Sequence, residues 1–139
     1  MQIDKIRYND NVLFYELNQE FNPKEEINIE GFLDFILNLP KNQEIYVLRD
    51  NGHVIGCATL IIEKKLIHNF GMVAHIEDVF IRSQYRNKGY GKYLINEMIN
   101  KAELFKCYKV ILNCSENLKS FYEKNNFKYK NIQMGYYFS

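Results

Sequence analysis

Glycine, proline and cysteine are all scarce in this chain of 139 residues, which holds seven, two and three of them respectively. The two prolines, Pro23 and Pro40, both fall in the first third. No Pro/Gly/Ser-rich linker, repeat or low-complexity tract divides the sequence, so residues 1–139 are expected to form one domain. The three cysteines, Cys57, Cys107 and Cys114, lack metal-ligand spacing, and no metal site is expected. Their odd number, with a polar N-terminal "MQIDKIRYND", reads as free thiols in a reducing, cytoplasmic compartment. No apolar run is long enough to span a membrane. Charge of one sign is also missing, since 18 basic and 17 acidic residues leave a net charge of +1. That excludes a broad nucleic-acid footprint but leaves room for a local anion site. With 47% hydrophobic and 15% aromatic residues, the chain can build a real core.

The periodicity sets out the elements. Val12, Leu13 and Leu17 have helical spacing within 10–20. Phe32, Leu33, Phe35, Ile36 and Leu39 make a stronger amphipathic helix, which Pro40 ends. "EIYVLRDNGHVIGCATLIIE" then reads as two strands around the turn Asp50-Asn51-Gly52. Residues 64–71 form a polar loop and 72–82 another strand. Leu94, Ile95, Met98, Ile99, Ala102 and Phe105 give a helix with one buried face. A strand is expected over 107–113, a short helix over 116–125 with Ser115 as N-cap, and a final strand over 127–138. The order is that of an α/β (α+β) domain, largely antiparallel at first, with one crossover helix.

Between the third strand and the long helix stands "QYRNKGYGKYL", with Gly89 and Gly91 flanked by Arg86, Lys88 and Lys92. A helix's first N–H groups lack internal partners and carry the positive end of its dipole. Glycines let a ligand approach that backbone, so the stretch suits a phosphate. Walker A is excluded because Tyr93 follows Lys92, and a Rossmann fingerprint because residue 94 is leucine. Arg-x-x-Gly-x-Gly, from Arg86 to Gly91, remains.

This spacing resembles the pyrophosphate loop of the GNAT superfamily of acetyl-CoA-dependent N-acetyltransferases. "FYEKNNF" (121–127) stands where that superfamily writes Phe-Tyr-Glu-Lys-x-Gly-Phe. "LIIEKKLIHNFGMVAHIEDVFI", "YRNKGYGKYLI" and "CYKVIL" resemble successive blocks of glucosamine 6-phosphate N-acetyltransferases, and the likeness covers roughly residues 54–139. It implies the GNAT fold, a mixed central sheet flanked by helices. It also implies transfer of acetyl from acetyl-CoA to the amine of glucosamine 6-phosphate, a step towards UDP-N-acetylglucosamine.

The resemblance places Val79, Arg86, Asn87, Lys88, Gly89, Tyr90 and Gly91 on acetyl-CoA. It makes the Tyr122 hydroxyl the donor to the departing CoA thiolate, charge that develops only as the thioester breaks. Glu77 and Asp78, adjacent in an apolar run, would bind the sugar and take the amine's proton directly or through water. On a regular strand they would point to opposite faces. Lys65 and His68 in the polar loop, with Tyr108 and Lys109, fall where the family meets the sugar phosphate, although core packing is an equal reading of Tyr108. His75 is expected at a strand edge and His53 in the turn. Cys114 has no local histidine to activate it, so direct transfer in a ternary complex is expected.

Three positions depart from the family. Asn113 replaces an acid, and an amide cannot accept a proton as a carboxylate does. Acid-base work then falls to Glu77 or Asp78. Asn126 replaces a glycine and also tolerates a left-handed helix end. The C-terminal "MGYYFS" lacks a basic residue. Two alternatives stay open: another amine acceptor (polyamine, antibiotic or protein), and a non-catalytic acetyl-CoA sensor. The terminal strand carries aromatics on both faces, which a homodimer would cover.

Overall fold

The computed structural model describes residues 1–26 and 28–139. One five-stranded sheet runs through the molecule in sequence order. It comprises β1 (Gln2–Lys5), β2 (Gln43–Asp50), β3 (His53–Lys64), β4 (Met72–Ile81) and β5 (Cys107–Ile111). The first four pair antiparallel, and β5 lies parallel to β4. A parallel return needs a crossover. That crossover is α3 (Tyr90–Leu104), which packs on one face of the sheet. Helices α1 (Asn11–Phe21) and α2 (Ile29–Leu37) precede β2, and α4 (Lys119–Lys124) follows β5.

Alternation along the strands builds two cores. Tyr46, Ala58, Leu60, Ala74 and Ile76 face α3, where they meet Leu94, Ile95, Met98, Ala102 and, from α4, Tyr122. Leu94, Ile95 and Met98 are fully buried, and each such side chain contributes about 1.5–3 kcal/mol. Val47, Cys57 and Phe80 point the other way, on to Leu13 of α1.

The start of α1 is pinned to the sheet. Arg49 donates from Nη1 and Nη2 to the two Asp10 oxygens, both at 2.8 Å, and from Nε to Asp4 at 2.9 Å. Asp10, the residue before α1, is buried. The fork-to-carboxylate geometry satisfies charges that would otherwise be costly there.

The sequence reading missed β1, whose polar "QIDK" gives no apolar run. Its backbone pairs with β2, from Gln2 opposite Arg49 to Lys5 opposite Tyr46. The expected strand over 127–138 is absent: residues 127–139 have no strand partner among the described residues and, apart from half-buried Phe127, are exposed. β-rich composition makes a strand only when a neighbouring strand supplies the ladder. Ser115 does not cap the helix after it; its hydroxyl contacts the Asn117 side chain instead.

Candidate active site

Two of the candidate residues, Glu77 and Asp78, lie where the sheet is irregular. Cys57 pairs with Phe80 and Thr59 with Glu77, so β4 carries one more residue than β3 across this step. The extra residue is accommodated as a bulge at Asp78, whose φ of 51° is left-handed, a conformation aspartate tolerates better than most residues. The Cys57 thiol reaches the Asp78 carbonyl at 3.6 Å.

The bulge corrects the expectation that Glu77 and Asp78 point to opposite faces. Thr59 and Asp78 both line one cleft. Glu77 is directly opposite Thr59, and opposed residues share a face. Both carboxylates therefore stand on the side of α1 and α2. Val79 falls on the other side and packs against the α3 core.

The cleft has a volume of about 470 Å³ and lies between the two N-terminal helices and the sheet. Leu13, Leu17 and Phe32 supply apolar wall, and Asn18, Glu25, Glu26 and Asn28 polar rim. No described lining residue is basic. Cys57 lies in its floor, where burial pushes the thiol pKa up to about 12. It stays protonated near neutral pH and is no nucleophile.

β4 and β5 pair only from Met72–His75 against Cys107–Ile111. Beyond His75, β4 runs on to Ile81 with no described strand on that edge. An edge without a strand partner is where an extended ligand can pair, although the Ile81 carbonyl already accepts from Arg86. Asn113 is exposed just past the end of β5, where the two strands part.

At the far end of β4 the chain makes a 3-10 turn, Ser83–Tyr85, and enters α3. Asn87 has a φ of 62°. Gly89 is the N-cap residue of α3 with a φ of 88°, and no side chain caps the first turn. Free N–H groups at a helix start suit an anion. A Cβ on Gly89 would meet nothing within 4 Å, so its conformation rather than crowding calls for glycine. Gly91 differs. A Cβ there would stand 3.2 Å from the Phe121 ring, which makes it a helix-packing residue. Lys88 is exposed. Tyr90 reaches Asp50 at 3.4 Å. Arg86 donates from Nε to the Ile81 carbonyl at 2.7 Å and from Nη2 to Glu20.

Tyr122 is 7% exposed and lies on the α3 side. Phe121 and Phe127 meet its ring edge-on, at centroid distances of 4.9 and 5.7 Å. Burial, with a smaller contribution from nearby Cys114, raises its pKa. Its hydroxyl therefore remains a proton donor across the neutral range.

The remaining candidates form a separate group. His68, Asn69 and Phe70 all have φ between 53° and 58°, folding the loop back so that the His68 ring lies 4.5 Å from that of Tyr108. Lys109 Nζ sits 5.7 Å from the same ring. Lys65 is 3.7 Å from Glu63, which also pairs with His75 at 2.9 Å. Tyr108 is 40% exposed, so it is not core packing. This cluster lies at the Met72 end of β4, and Glu77 is five residues further on, roughly 17 Å at the usual strand rise. Within one chain, the structure does not bring Lys65, His68, Tyr108 and Lys109 to the two carboxylates.

Residues 11–127 match the model of the Acetyltransferase (GNAT) family. The chain belongs to the GNAT acetyltransferase family. Among GNAT relatives, it is 32% identical over 130 residues to glucosamine 6-phosphate N-acetyltransferase 1 of Oryza sativa subsp. japonica, covering 90% of this chain and 79% of that one. It is 42% identical over 113 residues to glucosamine 6-phosphate N-acetyltransferase 1 of Dictyostelium discoideum, covering 78% and 72%. The crystal structure of glucosamine-6-phosphate N-acetyltransferase from Arabidopsis thaliana superposes with a TM-score of 0.85 at 30% identity, covering 99% and 98%. The co-substrate of this GNAT acetyltransferase is acetyl-CoA. Among its described residues no helix is long and apolar enough to cross a membrane.

Sequence reasoning missed Cys57 and Thr59 in the cleft and Glu20, the partner of Arg86 beside the loop. An aspartate in mid-strand, where that residue is depleted, was the available sign of the bulge.

Proposed function

We propose that this GNAT acetyltransferase moves the acetyl group of acetyl-CoA to the amine of glucosamine 6-phosphate, a step towards UDP-N-acetylglucosamine. The observation that carries acetyl-CoA binding is the free β4 edge leading to the uncapped start of α3. Val79 and its neighbours on that edge would pair with the pantetheine amides. The N–H groups from Asn87 to Gly91, with Arg86 and Lys88, would hold the pyrophosphate. The acceptor assignment rests on the relatives, which carry that activity in their names.

Bound there, acetyl-CoA supplies an activated thioester. Glu77 or Asp78 takes the proton from the attacking amine, directly or through water. The Tyr122 hydroxyl, on the opposite face of the sheet, gives its proton to the departing sulfur. The parting of β4 from β5 lets the two faces serve one reaction. Asn113, at that opening, can orient a group by hydrogen bonding but cannot act as the base.

The phosphate is proposed to be held by Lys65, His68, Tyr108 and Lys109 of a second copy in a homodimer. Two observations support this: the distance of these residues from Glu77 in one chain, and an acidic cleft without a basic residue. Three free cysteines support a cytoplasmic setting. The same acidic cleft favours one second reading, a cationic acceptor without phosphate, such as a polyamine.

CoA release with a panel of amines decides between them. Glucosamine 6-phosphate should give the highest kcat/KM. Preference for a polyamine would transfer the assignment to the second reading, and no stimulation by any amine would leave a CoA-binding protein without turnover.

The loop has its own test. Gly89→Val forces a β-branched residue to a positive φ, costing about 1–2 kcal/mol. Acetyl-CoA affinity by calorimetry should fall while the circular dichroism spectrum stays native. An unchanged affinity would remove the loop from the binding site.

A further inference from the structure

Two acids and two arginines, each pair spaced by four residues, tie α1 to the segment between β4 and α3. Glu16 and Glu20 lie on α1. Glu16 receives Arg82 through Nε at 2.5 Å and Nη2 at 2.6 Å, and Arg82 Nη1 donates to the Val54 carbonyl at 3.0 Å. All three nitrogens of that guanidinium are engaged, and its side chain is 19% exposed. Such a pair is structural.

The second pair differs. Arg86 spends Nε on the Ile81 carbonyl and Nη2 on Glu20, and Nη1 has no acceptor among the described residues. The Arg86 and Glu20 side chains are 39% and 40% exposed. Glu20 also sits in the last turn of α1, which holds no basic residue. A carboxylate there meets the negative end of the helix dipole and is disfavoured without a cation beside it. Arg86 is thus Glu20's compensating charge and, on the reading of the loop given above, also a ligand of the pyrophosphate.

We infer that Glu20 is a positioning residue that competes with the pyrophosphate of acetyl-CoA for the Arg86 guanidinium. The two anions share one partially committed fork, and the first must yield for the second to be held fully. Arg82, saturated by Glu16 and Val54, keeps α1 docked while Arg86 changes partner. This inference rests on the proposed loop function, and its test separates the two.

The test is calorimetric titration of the full chain with CoA at fixed ionic strength. Glu20→Gln keeps shape and removes charge, and should tighten CoA binding about two- to fivefold, the range for an exposed ion pair. Arg86→Gln should weaken binding. Adding Glu20→Gln to Arg86→Gln should then change nothing, because the contested group is gone. A merely structural Glu20 would not yield tighter binding on removal. Unchanged or weaker binding by Glu20→Gln, with Arg86→Gln still weakened, overturns the competition and leaves the loop in place. Unchanged binding by Arg86→Gln overturns the competition and takes Arg86 out of the pyrophosphate site, leaving the backbone of the loop to the Gly89→Val test.

Discussion

Tyr122→Phe is expected to lower kcat by about ten- to a thousandfold, the range for deleting one donor to developing charge. Acetyl-CoA affinity should hardly move. The ring stays between Phe121 and Phe127, so the packing of α4 against the sheet survives. No hydrogen-bond partner of the hydroxyl is described in the chain, so the folded state loses little when it goes. On the proposed role, what is lost is a donor that matters chiefly in the transition state, and kcat and kcat/KM should fall together. Stopped-flow turnover with calorimetric acetyl-CoA binding checks both halves. Full turnover in the variant would reduce Tyr122 to a core residue.

Removing residues 134–139 should convert the proposed homodimer into a monomer and take sugar-phosphate turnover with it. Met134, Tyr136, Tyr137 and Phe138 are 84–90% exposed, an apolar concentration a small soluble monomer rarely displays. The segment makes no ladder among the described residues, which leaves its backbone donors and acceptors to a second copy. If the phosphate is gripped across that interface, kcat/KM for glucosamine 6-phosphate should fall far more than acetyl-CoA affinity. Light scattering at micromolar concentration gives the mass. A monomeric mass for the intact chain at full activity would sink both the dimer and the shared site.

The elements readable in the sequence were those whose hydrophobic spacing is local. The amphipathic pattern of α2, the turn at Asp50–Gly52 and the buried stripe of α3 each rest on a few neighbouring residues. β1 was illegible because its strand character comes from pairing with β2 across some forty residues, not from its own side chains. The terminal segment erred the other way, reading as a strand where the described residues offer no partner. At the site, Gly89 was legible because a left-handed N-cap leaves a glycine behind. The role of Gly91 was not, since only the fold brings Phe121 against it. Nor could spacing show that Glu77 and Asp78 share a face, because a bulge is a property of two strands in register.

The bulge also bears on how this protein can change over generations. Deleting Asp78 would leave Val79 opposite Ala58 and Phe80 opposite Cys57, and the ladder would run on without a break. Both apolar side chains would keep their present faces. The shortened strand would be the more regular one, and it would lack one of the two carboxylates. Selection for durability alone would erode this position by single-codon loss, whereas selection for the proposed proton transfer would keep restoring an imperfection.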